Sequence, residues 1–331
     1  MGQLTSFTEK KILDHLLKYA SYSPPATVYL GLSTADPLHD GSAWVDPTYT
    51  GYARKAITFA AAGSRAIAQT GAVTFDQCTG GSSTVGWWGI WNQLAAGGNL
   101  LAYGALSIAK TIVTGNTPSV ASGQATVSFS AGALFTGLAN SILDWLFRAQ
   151  TLAQPTHVKI ALSTTTPADA GTGITEPSGN NYSQPNFDTW NAAAVLGSTT
   201  VNGDSASGQA VLNVASTTGF VVGQPVIIGD GTVRAEKKTI LSIQAGTSLT
   251  MTANLTNAHS AVQADAVVAP ETAQNNGTIT MPTPSGSWGL ITYAVLYLDT
   301  TAAIYGTVVN QTPDNGDTVE WLTTQFSVSI Q

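Results

Sequence analysis

The sequence predicts a mainly β fold: two tandem antiparallel β-sandwich or jelly-roll-like repeats, each preceded by one α-helix, plus a small all-β inserted module. Three observations predict it. The chain carries a collinear internal duplication, its apolar residues alternate in short runs between Gly-rich turns, and only 9% of its 331 residues are charged. That is well under half the usual share of about 25%.

The duplication organises the rest. Ile12-Leu13-Asp14-His15-Leu16-Leu17 matches Ile142-Leu143-Asp144-Trp145-Leu146-Phe147 at an offset of 130 residues, which also pairs Pro25 with Pro155, Ser33-Thr34 with Ser163-Thr164 and Tyr52 with Tyr182. The register then jumps. Gly71 to Phe75 pairs with Gly277 to Met281, and Trp91 with Tyr297, at an offset of 206. Tyr103-Gly104 matches Tyr305-Gly306, and Gly115-Asn116-Thr117 matches Gly316-Asp317-Thr318. The jump places about 76 extra residues inside the second copy. The expected domains are therefore a first repeat over 1–132, a discontinuous second repeat over 133–194 and 270–331, and an insert over 195–269. A module whose ends lie close together can sit in a loop without disturbing its host.

Helical spacing of Ile12, Leu16 and Tyr19 predicts a helix over Thr8–Tyr19, with Thr8 as N-cap and half a capping box. Pro24-Pro25 forbids its continuation. The apolar run from Ala133 to Leu152 contains Asp144 and Arg148, so it reads as an amphipathic helix rather than a membrane span. Val28, Leu30 and Leu32 alternate as a strand, as do Val158, Ile160 and Leu162. Further strands are expected at Arg54–Phe59, Ala72–Phe75, Gly86–Trp91, Leu100–Leu106 and Ala125–Phe129. Within the insert the expected strands are Ala210–Val214, Pro225–Ile228, Lys237–Ile243 and Ser248–Met251, with Asp230-Gly231 as a tight hairpin turn. Gly-rich turns between short strands point to a sandwich or jelly roll.

Composition narrows function. The normal apolar content of 43% argues against disorder, and a net charge of −7 gives no footprint for nucleic acid or anionic lipid. The single Cys78 excludes an internal disulfide and a cysteine zinc site. The opening residues lack the basic segment and apolar core of a secretory signal. His15, His39, His157 and His259 are scattered with no second ligand at helical or hairpin spacing, so they read as surface or half-buried side chains rather than metal ligands or bases. No nucleophile elbow, zincin or phosphate-loop motif is present. Asp36, Asp40, Asp46 and Asp76, with Asp169, Glu176 and Asp188 in the second copy, could supply paired carboxylates. Most of these acids lie in turn contexts. Trp44, Tyr49 and Tyr52 lie among them, which leaves open a sugar-binding loop beside an ordinary loop packing its aromatics at an interface. Asp314 to Asp317 resembles half a calcium loop without the closing Glu, and reads as a turn. Catalytic residues, metal and cofactor are not expected. Candidate interface residues are Trp87, Trp88, Trp145, Phe147, Trp44 and Tyr52, because exposed aromatics concentrate at interface hot spots. In a strand Trp87 and Trp91 share one face and Trp88 takes the other.

One resemblance rests on these residues. The helix from Ile12 to Leu17 is followed by Pro25 to Pro37, Gly51 to Phe59, Trp88-Gly89-Ile90-Trp91 and Gly97 to Leu106. This succession resembles a family of tailed-bacteriophage virion proteins labelled tail-fibre-like, usually single-copy. The second copy follows it more loosely, lacking the Ala-Arg-Lys stretch after Tyr182. The resemblance implies a structural role with no catalytic residues to carry over. The expected function is a non-enzymatic virion component, of tail or fibre type, with the insert projecting. Capsid decoration, a neck or collar role, and a carbohydrate-binding adhesin stay open as alternatives. Expected partners are other virion proteins, further copies of the chain (a trimer would give six quasi-equivalent repeats) and a host surface glycan. Neither nucleic acid nor membrane insertion is expected.

Overall fold

The computed structural model describes residues 2–330 apart from 96, 133, 231 and 233. It is mainly β, with 38% strand and 7% helix. Helix α1 spans Ser6–Leu16 and helix α2 spans Thr136–Arg148. Helix α1 starts and stops earlier than its apolar spacing suggests. Thr5 is its N-cap residue, and the Thr5 and Thr8 hydroxyls donate to the Leu100 and Leu101 carbonyls (2.6 and 2.8 Å) instead of capping the helix. Lys18, at φ +65°, turns the chain away, and Tyr19 is left exposed instead of joining the apolar face.

In the first repeat the central sheet is antiparallel throughout. Its strand order is Gln3–Leu4, Leu100–Val113, Ser82–Trp91, Val28–Ser33 and Lys55–Ile57. The second repeat keeps three strands of this sheet, Val158–Ser163, Ile291–Leu298 and Thr301–Gln311. The registers agree: Leu30 faces Ile90 in one sheet and Ile160 faces Leu296 in the other, at the two sequence offsets. A second, smaller layer repeats as well. Ala66–Ala68 pairs with Thr126–Ser128, and its counterpart Glu271–Gln274 pairs with Ser327–Ser329. Central strands thus lie where alternation predicts them. The Ser82–Trp91 and Leu100–Val113 strands run longer than expected because polar Ser, Thr and Lys extend the hairpin.

The insert forms one six-stranded antiparallel sheet around its own core of Leu212, Val226, Ile228, Ile240, Leu249 and Val267. Ser198–Thr200 pairs with Ala266–Val268, so the module leaves and rejoins the second repeat at adjacent points. The expected Asp230-Gly231 turn includes Gly231, which lies outside the described residues. The insert does not project freely. The His39 backbone N–H donates to Asp230 Oδ2 at 3.1 Å, and the insert leans on the first repeat there.

The two repeats, in contrast, share one core. Buried Ile12, Leu13, Leu16 and Leu17 of α1 and Ile142, Leu143, Leu146 and Phe147 of α2 belong to a single apolar cluster with both small layers. Each helix is tied at its start to its own repeat, through Thr5 N–H to Leu101 O (3.1 Å) and Phe135 N–H to Ala303 O (3.0 Å). Each then packs on the other repeat's small layer, α1 on Glu271–Gln274 and α2 on Ala66–Ala68.

Candidate functional site: the seam between the repeats

The helix exchange puts equivalent residues face to face. His15 and Trp145 occupy the same position in the two copies, and their rings meet tilted by 33° at 4.7 Å between centroids. Asp14 Oδ1 accepts the Ala193 N–H of the second repeat at 2.8 Å, and Asp144 Oδ1 accepts the Ala62 N–H of the first at 2.9 Å. Phe147 packs on Phe59 across the same seam at 5.3 Å, and Tyr22 meets Trp145 edge-on at 5.7 Å. The seam is therefore two-fold in pattern, as expected of an isologous contact between two copies. His15 stays on the neutral side: burial lowers its pKa, outweighing the contact of Nε2 with the Leu152 carbonyl.

A family model described as Podophage GP4 fiber I protein gp80 matches the chain in two segments, residues 3–128 and 133–270. The chain belongs to this phage fibre family. No curated protein matches it. The two matched segments begin shortly before α1 and α2, so the family unit occurs twice in this fibre-family chain.

The candidate interface residues of this fibre protein fall into three groups. Trp145 and Phe147 are buried in the seam just described. Trp88 lies in the first repeat's core, with Gly104 beneath it: a Cβ there would sit 2.8 Å from the indole. Trp44 and Tyr52 are also turned inward. Trp44 meets Trp91 edge-on at 5.1 Å and covers Gly89, where a Cβ would come within 2.5 Å of its ring. The second repeat solves the same contact with Ile174 and Val295, a smaller side chain over a larger one. The Tyr52 hydroxyl accepts the Leu32 N–H at 2.9 Å and lies 3.3 Å from Asp46, and burial raises its pKa. Tyr182 repeats this strut with the Leu162 N–H at 2.9 Å and Glu176 at 2.9 Å. Tyr49 of the same loop is buried at 2% exposure. Trp87 is half-buried, as Trp44 and Tyr52 are, and it lies on the insert's side.

The candidate carboxylates are for the most part separately engaged, in turns and local contacts as their contexts suggest. Asp46 takes Trp44 Nε1–H at 2.7 Å, Asp76 takes Lys55 at 2.7 Å, and Asp188 takes His157 at 2.8 Å and the Val158 N–H at 2.8 Å. Asp40 caps the Ser42 N–H at 2.9 Å. The Asp314–Asp317 loop closes on itself, with the Asp314 N–H on Asp317 Oδ2 at 2.8 Å. Three histidines are buried rather than at the surface, and all are partnered. His15 is in the seam, His39 Nε2 lies 3.1 Å from Glu9, and His259 holds Asp265 and Glu236 at 3.0 and 2.9 Å. Glu236 drops to about 2: burial pushes it up, but the Thr256 N–H, His259, the Asn257 N–H and Lys238 outweigh that. These are struts of the insert. Among the described residues, no group of three or more His, Cys, Asp or Glu is placed to hold a metal ion.

The seam has two ends, which sequence reading did not find. At one, Arg65 pairs with Asp169 through Nε at 2.8 Å and through Nη2, and Nη2 also reaches the Leu134 carbonyl. At the other stand the residues equivalent to those two, Glu271 and His39, together with Glu9. Glu9 Oε2 faces His39 Nε2 at 3.1 Å and the Glu271 N–H at 3.4 Å. The signal was present in the offsets, since Arg65 maps to Glu271 and His39 to Asp169. It was unreadable without knowing that the helices cross.

Proposed function

We propose that the chain is a non-enzymatic structural component of the virion, in a tail-fibre-type appendage or the piece that attaches it, and that one chain stands where two single-repeat chains would otherwise pair. The His15–Trp145 ring contact carries the second half of this reading, because equivalent residues meet only across a two-fold contact. Its first half follows the fibre-family membership and the engagement of polar side chains in packing. Joining the two copies covalently removes the concentration dependence of pairing. Other virion proteins are the partners, and a trimer of such chains would present six repeats to a six-fold ring.

Immunogold labelling of purified virions in negative-stain electron microscopy tests the placement. Gold confined to the tail or its appendages is expected. Gold over the capsid would replace this reading with a decoration role. Absence of label on particles that contain the protein by mass spectrometry would replace it with a buried joint such as the neck.

A further inference from the structure

The two repeats differ most in charge. Residues 1–132 hold seven Lys and Arg against six Asp and Glu, whereas residues 133–194 with 270–331 hold two against nine. The seam balances part of this within one chain, since Arg65 pairs with Asp169 and Lys18 with Asp188. The rest is unbalanced. No Lys or Arg follows Lys238, and among the described residues the exposed Asp314, Asp317 and Glu320 make no ion pair. The first repeat has Val113, Asn116 and Ser119 at those places. Its one charge in that stretch is Lys110, also exposed and without an ion pair among the described residues.

The same stretches carry matching irregularities. In the first repeat Trp87 faces Ala105 and Val85 faces Lys110, so residues 106–109 bulge out of the ladder. In the second, Tyr293 faces Thr307 and Ile291 faces Gln311, so residues 308–310 bulge at the equivalent place. The equivalent Leu106 and Val308 both pack on the core. Their neighbours turn outward, Ile108 at 67% exposure and Val309 at 88%. A bulge that only blunted a sheet edge against pairing would present a charged or polar side chain. Ile and Val in that place mark a contact. Beyond Tyr103 the strand bearing Ile108 has no outer neighbour among the described residues. A groove of about 600 Å³ opens beside it, where Leu106, Ile108, Pro118 and Val120 stay half-buried or exposed and Lys110 stands on the wall. The occupant must bring an aliphatic knob and negative charge. Val309, followed along the chain by Asp314, Asp317 and Glu320, brings both. We propose that copies of this chain join head to tail, the second repeat of one copy seating Val309 in the first-repeat groove of the next, with Lys110 facing the acids. Second repeats do not meet each other, because acids would then oppose acids. A contact between unlike surfaces closes into a ring or runs on as a filament. The inference rests on the self-assembly proposed above and deepens it, since first and second repeats would alternate around a six-repeat ring.

Two full-length variants test it, Ile108→Cys and Val309→Cys, because the native Cys78 is fully buried and silent to a thiol reagent. Mixed in equal amounts and treated with a short bismaleimide, they should give a cross-linked dimer that neither gives alone. Val262→Cys, 93% exposed on the insert, replaces Val309→Cys as the collision control and should give none. In sedimentation of the full chain, Lys110→Glu should weaken association on the order of threefold to tenfold, as should raising salt from about 0.1 M to about 1 M. Val309→Asp should weaken it by about tenfold or more. Both side chains are exposed, so melting temperatures should not change, and Lys110→Glu carries the test should Val309→Asp fail to fold. Cross-linking within either variant alone and not in the mixture would show like repeats meeting, and would overturn the proposal. A chain that sediments as a discrete oligomer without the mixed cross-link would overturn this contact and leave self-assembly standing. A chain that stays monomeric throughout would overturn both.

Discussion

The two ends of the seam began as copies and now hold opposite chemistry. Arg65 and Asp169 make an ion pair whose carboxylate is 46% exposed, while the equivalent Glu271 and His39 are 7% and 2% exposed. The insert explains the difference in burial, since Asp230 takes the His39 N–H and closes that end. Two acids and an imidazole out of water can coexist only by sharing protons. Glu271 is accordingly raised to about 7, first by burial and then by Glu9, with Lys10 and His39 pulling the other way. Burial pulls His39 down, but the charge and hydrogen bond of Glu9 outweigh it and the net shift is upward. Asp169 moves the other way, held below the usual carboxylate range by its hydrogen bond from Arg65. A duplicated contact therefore keeps its geometry while its electrostatics follow whatever covers it.

The most damaging way to break this comparison is to remove what both ends share. Trp145→Ala empties the centre of the seam and should cost about 3–5 kcal/mol, the usual price of a buried aromatic. Urea unfolding should then show both repeats destabilised together, because they share one core. Two separate transitions would mean that the repeats fold independently.

The next largest effect sharpens the contrast between the ends. Glu271 keeps its proton in the fold where the unfolded chain has lost it, so stability falls as pH rises from about 4.5 through about 7. His39 acts in the same direction: its contribution is complete below its ordinary 6.5 and is lost as pH rises through its raised value. Asp169 acts oppositely, stabilising above its ordinary 3.8 and failing as pH falls through its lowered value. Glu271→Gln should therefore stabilise the chain at pH 8 by on the order of 1–3 kcal/mol and have little effect at pH 4. Equal effects at both pH values, in chemical denaturation, would refute the buried-proton account.

Deleting Leu196 to Val268 with a short linker should leave a cooperatively unfolding body, because the module enters and leaves at paired strands. The deletion should also shrink the loss of stability near pH 7, on the order of 1 kcal/mol, by returning water to Glu271. Loss of cooperative unfolding would show that the module is integral. Smallest of all, Asp14→Ala leaves the buried Ala193 N–H and Asp144→Ala the part-buried Ala62 N–H unpaired, at a cost of about 1 kcal/mol or less each. Asp14 should be the costlier, since its side chain is 5% exposed against 22% for Asp144.

Much of the fold was legible in the residues. The offsets of 130 and 206 place the strand pairs that the sheets display, with Leu30 on Ile90 and Ile160 on Leu296. Periodicity marks both helices and misplaces only their ends, because Thr5 and Thr8 bond to a neighbouring strand instead of capping. The candidate interface was harder to read. Aromatic residues signal contact with something, but Trp88 is buried and Trp44 half-buried by their own repeat, Trp145 and Phe147 are buried by the other, and Trp87 faces the insert. An unaided chain of letters carries no information on which body lies opposite a given face.

Alternation, turn chemistry and self-similarity are local or collinear properties, so the sequence by itself determined the repeats, their strands and the low-charge β class. Tertiary structure decided that the helices cross, that the two copies share one core, and that the insert leans on the first repeat. It also decided that Glu271 and His39 are both buried while, at the other end, Arg65 is buried and its partner Asp169 meets water. Those outcomes depend on burial, which is a property of surfaces far apart in the chain, and burial in turn governs protonation and which side chains remain open to a ligand.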